Sequence, residues 1–192
     1  KRDDKDCCTW LGCIENNFGI IECQDVGDSL YYGRSGIAFA LYCAYICTGE
    51  EEYLRKADMA IEITLAGLEA EDLSYIPWGA YDGIAGILLL LVFCREKFGR
   101  TEYDRYIRKI LSHISDRDNF AEKTDILGGT AGILNVLTYI CDTLSDEKIR
   151  NKSAEIIKKT TVDLYNRIRC GEAEEKHFVG YAHGEAGIIS AL

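Results

Sequence analysis

Four segments of the chain share one pattern: a glycine, two residues, a second glycine, an isoleucine, then an apolar run. They are GRSGIAFAL from Gly33, GIAGILLLL from Gly83, GTAGILNVL from Gly129 and GEAGIISAL from Gly184, with starts 50, 46 and 55 residues apart. A period of this size marks a repeat architecture in which each unit is one supersecondary element. The runs Ile37–Ile46, Ile87–Cys94 and Ile133–Cys141 are hydrophobic nearly all round, the signature of an element covered on every side. Their length and their Leu, Ala and Ile content predict helices rather than strands.

Between these runs the pattern changes. Leu54, Ala57, Ile61, Leu65 and Leu68 recur at helical spacing among charged residues. Tyr103, Ile107, Ile110, Leu111 and Ile114 do the same, as do Ile149, Ile156, Ile157, Thr160, Leu164 and Ile168. These are amphipathic helices with one solvated face. No segment reads as a strand. The expected fold class is all-α: an α/α toroid, or double-ring helical barrel, with apolar helices inside and amphipathic ones outside. About four helical-hairpin repeats are present, after an entry segment at 1–30. Each glycine pair is expected to start an inner helix, crowd the backbone towards the axis and aim amides into a central cavity. The chain ends at Leu192, two turns into the fourth inner helix, so a single partial domain over 1–192, a truncated barrel, is expected.

Composition narrows the function classes. Lys and Arg number 22 against 32 Asp and Glu, a net charge of −10, which argues against nonspecific binding to nucleic acid or anionic membranes. The most apolar stretch, Ile84–Cys94, is too short to cross a bilayer. The charged start KRDDKD has no signal-peptide apolar region behind it, and the nine cysteines include no CxxC spacing. A cytoplasmic protein with reduced thiols is expected. Cys43 and Cys47 are four apart on a helix, but with no histidine nearby they read as core packing; Cys7 and Cys8 have no explanation. LGGTAG at 127–132 lacks the Lys-Ser/Thr of a phosphate loop.

The strings DILGGTAGIL (125–134) and GYAHGEAGI (180–188) resemble the lanthionine synthetase C-like proteins. The opening TWLGCIENNFG (9–19) and DSLYYGRSGIAFAL (28–41) are closer still to the C-terminal cyclase domain of class II lanthipeptide synthetases, which follows a dehydratase domain. The resemblance implies a cyclase that adds peptide cysteine thiols to dehydroalanine or dehydrobutyrine, forming lanthionine or methyllanthionine. Its partners would be a precursor peptide and a fused or separate dehydratase. It implies a zinc ion in the full-length domain, held by a cysteine and a Cys-His pair for which this chain has no match. No metal ligand is therefore assigned here, and the fragment alone is expected to be inactive. An exposed half-barrel edge would favour self-association.

The same resemblance makes His183 the proton donor and Asp125 either its orienter or the acceptor of the thiol proton. On the residues alone, His183 could cap a helix or fill a turn, and Asp125 could be an N-cap. Arg34, Asp82 and Tyr81 stand beside the glycine motifs and are candidate substrate contacts, with capping, salt bridging or rim packing as the plainer roles. Tyr31, Tyr32 and Trp78 are further aromatics of this kind. His113 reads as a surface residue, and His177 has no context. Two alternatives stay open: a noncatalytic partner-binding scaffold, and an α/α-barrel glycoside hydrolase using Asp82 and Asp125.

Overall fold

A computed structural model describes residues 9–15, 18–69, 72–116, 123–171 and 178–192. Cys7, Cys8 and His177 lie outside the described residues. The chain divides into two compact units, Lys1–Glu71 and Asp72–Leu192. Helices dominate both, and the all-α expectation holds.

The first unit holds a hairpin of helices, α1 (Arg34–Thr48) and α2 (Glu51–Leu68). Gly49 ends α1 in the left-handed conformation (φ 73°), and its N–H donates to the Tyr45 carbonyl. This glycine stop lets α2 start two residues later. Ala57, Ala60, Ile61, Leu65 and Leu68 are buried, so the predicted apolar stripe of α2 is the one that packs. In α1, only Ala38 and Tyr42 of the apolar run are fully buried, and Ile46 is exposed. The expectation of cover on every side therefore fails for this helix: within its unit α1 packs against α2, which shields one face.

A departure from the sequence reading precedes α1. Strands β1 (Leu11–Glu15) and β2 (Ile21–Asp25) form an antiparallel hairpin. Both strands are only five residues long, and β2 is exposed along its length, so no inward-outward alternation advertises it. Gly19, at φ 75°, supplies the left-handed residue that the turn needs.

The second unit contains α3 (Ile84–Phe98), α4 (Asp104–Ser115), α5 (Thr130–Thr143), α6 (Glu147–Arg169) and α7 (Glu185–Ala191), with one 3-10 turn at Thr101–Tyr103. Helix α3 packs against α4 and α5, and α5 against α6 and α7. This surrounds α3, of which Ile84–Leu88 and Leu90–Cys94 are buried. Helices α4 and α6 bury the stripes predicted for them, including Ile107, Ile110 and Leu111 on α4 and Ile149, Ile156 and Leu164 on α6. Helix α6 starts on Asp146, whose carboxylate accepts from the N–H groups of Lys148 (2.9 Å) and Ile149 (3.0 Å), a regular N-cap.

The glycine motifs have a common construction. Gly33, Gly83, Gly129 and Gly184 are the N-cap residues of α1, α3, α5 and α7, all with extended backbone and no side-chain cap. In each case the first helical N–H donates to the carbonyl seven residues upstream: Arg34 to Gly27 (2.9 Å), Ile84 to Pro77 (2.7 Å), Thr130 to Lys123 (3.1 Å) and Glu185 to Phe178 (2.9 Å). The loop folds back over its own helix and satisfies a donor that a helix start leaves orphaned. The second glycine of the motif makes room for that loop. A Cβ on Gly36, Gly132 or Gly187 would collide with the carbonyl oxygen of Leu30, Ile126 or Tyr181. The expectation that these amides face a cavity is thus overturned, because the loop carbonyls take them.

Candidate active site at the loops before α3, α5 and α7

In the second unit, backbone hydrogen bonds lace three motif loops in series. Tyr81 N–H donates to the Leu127 carbonyl (3.0 Å), and the N–H groups of Ile126 and Leu127 both donate to the Ala182 carbonyl (3.2 and 3.3 Å). Ile126 is buried in a cluster with Ala131, Leu134, Leu164 and Ile188, which pins the third loop to α5, α6 and α7. Asp82, Asp125 and His183 lie beside these links.

Asp125 and His183 meet. Asp125 Oδ2 lies 2.7 Å from His183 Nδ1, across 58 residues of sequence. Its other oxygen, Oδ1, accepts the Gly128 N–H at 2.8 Å. The Asp125 side chain is 2% exposed and that of His183 is 52% exposed. A buried carboxylate with both oxygens engaged holds the imidazole in one orientation. With Nδ1–H donating to Asp125, Nε2 on the half-open ring is the nitrogen left to take or give a proton. The capping role weighed for Asp125 does not apply, since the N-cap of α5 is Gly129. Phe178 stands beside the imidazole, ring centres 6.5 Å apart.

Asp82 sits against the same loops. Its Oδ1 is buried without a hydrogen-bond partner, and a Cβ on Gly79 or Gly128 would press on the two carboxylate oxygens. Burial pushes its pKa above the ordinary carboxylate value, opposed by the residue's own backbone N–H and by Lys123 and His183, while the charge of Asp125 adds to the rise. It makes no ion pair among the described residues, and Gly83, not Asp82, is the N-cap of α3. Tyr81 is 38% exposed and reaches the third loop through its backbone.

The other candidates make contacts of their own. Arg34, 6% exposed, is anchored inside the first unit: its guanidinium contacts Asp28 (2.8 Å), Asp25 (3.2 Å), the Gly27 carbonyl (3.1 Å) and the Thr9 hydroxyl (3.2 Å). This is the salt-bridging role. Trp78 stacks on His113, ring centres 5.3 Å apart and 10° from parallel, so His113 is a packing residue of α4 rather than a plain surface one. Tyr31 and Tyr32 are exposed and pack edge to face. Of the helical cysteines, Cys94 is buried, whereas Cys47 is exposed, contrary to its expected place in the core.

Zinc does not fit the side chains seen here. Among the described residues no three His, Cys, Asp or Glu side chains converge as metal ligands. The Asp125–His183 pair offers too few donors for a closed site. No helix of the described residues is long and apolar enough to cross a membrane.

The family described as lanthionine synthetase C-like protein matches residues 24–192. Among solved structures, the chain is similar to one described as nisin cyclase, with a TM-score of 0.59 and 17% identity. That similarity covers 85% of this chain and 52% of the other, so the chain spans about half its length. At this identity the likeness speaks for the fold, which is of the α/α toroid class. No curated protein sequence matches the chain.

Proposed function

Because the chain belongs to the lanthionine synthetase C-like family, we propose that it is part of a lanthipeptide cyclase, adding peptide cysteine thiols to dehydroalanine or dehydrobutyrine to make thioether rings. The observation that carries this reading is the 2.7 Å contact between the buried Asp125 carboxylate and the half-exposed His183 imidazole. The reaction needs a group that cycles its proton near neutrality, and an imidazole braced on one nitrogen is suited to that.

In this proposal His183 Nε2 takes the proton of the substrate thiol. The thiolate adds to the β-carbon of the dehydro residue, and the alkene electrons move to an enolate at the α-carbon. The imidazolium then returns its proton to that carbon, so the addition is balanced. Asp125 stabilises the charged ring and fixes its tautomer. Tyr81 and Asp82, on the neighbouring loop, would meet the peptide beside the reacting atoms.

The resemblance of the opening segment to class II synthetases adds a dehydratase, fused or separate, and a cytoplasmic setting. Zinc belongs to the complete protein in this reading. The side chains described here do not hold it, and no step is assigned to it. Residues 1–192 are read as one part of a single cyclase domain. The glycoside hydrolase alternative would need Asp125 as an available carboxylate, whereas both of its oxygens are engaged.

The test uses the full-length protein and a dehydrated precursor peptide. His183→Asn should abolish ring closure while the far-UV circular dichroism and metal content stay those of the parent. Ring closure at the parent rate would remove His183 from the chemistry.

A further inference from the structure

The β-hairpin pairs two cysteines across its strands: Cys13 lies directly opposite Cys23. Both are free thiols and both are exposed. Their kind of pairing follows from the ladder. Val26 N–H donates to the Trp10 carbonyl at 3.1 Å, which makes Trp10 and Val26 a hydrogen-bonded pair of the same register. Such pairs alternate with non-hydrogen-bonded ones, so Leu11–Asp25 and Cys13–Cys23 are of the second kind. Residues opposed in this way have Cα atoms about 4.5 Å apart and their side chains on one face, inside the separation a disulfide requires.

We propose that Cys13 and Cys23 form a site of reversible disulfide modification. The oxidant is a low-molecular-weight disulfide. One cysteine thiolate attacks a sulfur of that disulfide, expels one thiol and leaves a mixed disulfide on the protein. The opposing thiolate attacks the protein-bound sulfur and expels the second thiol. Two protein thiols are oxidised to one disulfide, the small disulfide is reduced to two thiols, and these carry off the two protons. Exposure lets the reagent in, and opposition across the ladder puts the resolving thiol in place.

The bond would act on the entry to the first glycine motif. Asp25 follows Cys23 by two positions and shares its face of the hairpin, and its carboxylate accepts from Thr9 Oγ1 (2.6 Å) and pairs with Arg34 (3.2 Å). Arg34 is the first residue of α1. A covalent tie at Cys13–Cys23 therefore stiffens the strand that carries the anchor of α1. A cross-strand pair in an exposed hairpin is a bond that forms and reopens, the character of a redox-responsive pair rather than a buried structural one.

The test equilibrates the chain in buffers of fixed reduced-to-oxidised glutathione ratio, traps free thiols with a maleimide, and cleaves at Trp10, Glu15 and Glu22 so that the two cysteines part. We expect alkylation of Cys13 and Cys23 to fall together by about tenfold or more as the buffer turns oxidising, with a linked fragment joining the two and no glutathione on either, whereas the lone exposed Cys170 is blocked only as a glutathione adduct. In Cys23→Ser, Cys13 should carry glutathione as a trapped mixed disulfide. Independent loss of the two thiols, a bridge from either to another cysteine such as Cys7 or Cys8, or full alkylation of both in oxidised glutathione would each overturn the proposal.

Discussion

His183 Nδ1 and Asp125 Oδ2 are 2.7 Å apart, although one stands before α7 and the other before α5. The contact depends on the shared Ala182 carbonyl, which binds the N–H groups of Ile126 and Leu127. Asp125→Asn separates what the carboxylate does for structure from what it does for the imidazole. The amide oxygen can still accept the Gly128 N–H, but the amide nitrogen is now a donor facing Nδ1. The ring must then carry its proton on Nε2 and cannot take one there. In the full-length protein, ring closure should fall by about 10²–10⁴-fold, with unfolding temperature little changed. Steady-state kinetics on a dehydrated peptide check the first part and calorimetry the second.

The glycines make a second, independent prediction. A Cβ on Gly132 would collide with the Ile126 carbonyl and lie 2.8 Å from Ala80 Cβ. Neither can withdraw, because Ile126 is in the core and Ala80 is buried. Gly132→Ala should cost about 3 kcal/mol or more, the upper end of overpacking penalties. Gly49 is the control: its φ is 73°, and a Cβ added there would meet nothing within 4 Å. Gly49→Ala should cost only the left-handed penalty of roughly 1 kcal/mol. Denaturant unfolding of the two variants gives the comparison, and equal losses would contradict the packing argument.

The repeat makes these positions visible in the sequence itself, and the reason is physical. A glycine that must avoid a carbonyl leaves the same mark at each helix start, and the apolar run Ile84–Cys94 is long enough to read as a covered helix, although the similar run in α1 is covered on one face only. The donors at seven-residue spacing were not legible, because a carbonyl contributes the same to every sequence. Asp125 and His183 came from resemblance; nothing in their 58-residue separation announces a contact. The β-hairpin is not legible because Cys13 and Cys23 are weak indicators of a strand and β2 is exposed along its whole length, with no core face to mark it. The stacking of His113 on Trp78 escaped for a similar reason, as a ring partner in another loop leaves no spacing to read.

Asp146 gives a prediction about pH as well as stability. Its carboxyl is held below the ordinary range by the N–H of Ile149, with smaller help from Arg108 and Lys148. A depressed carboxylate contributes stability that is present above the unfolded value of about 3.9 and lost as pH falls through the lower folded value. Asp146→Ala should cost about 1 kcal/mol at neutral pH. The loss should shrink towards zero as the parent is acidified through that window, and a difference that did not shrink would point to packing rather than charge. Unfolding curves of both proteins between pH 7 and about pH 2 test this.

Asp82 has the opposite sign, and it bears on the site. Burial raises its pKa, and its Oδ1 has no hydrogen-bond partner. A carboxyl whose folded pKa exceeds the unfolded value binds more protons folded than unfolded in the window between them. Stability therefore falls as pH rises from about 3.9 through the folded value, and the full penalty persists above it. Asp82→Asn keeps the shape against Gly79 and Gly128 while removing the charge, so it should raise the unfolding temperature at pH 7 and flatten the slope between about pH 4 and neutrality. Unfolding curves of the two proteins across that range make the test, and a variant no more stable than the parent, with an unchanged slope, would mean that the carboxyl reaches solvent.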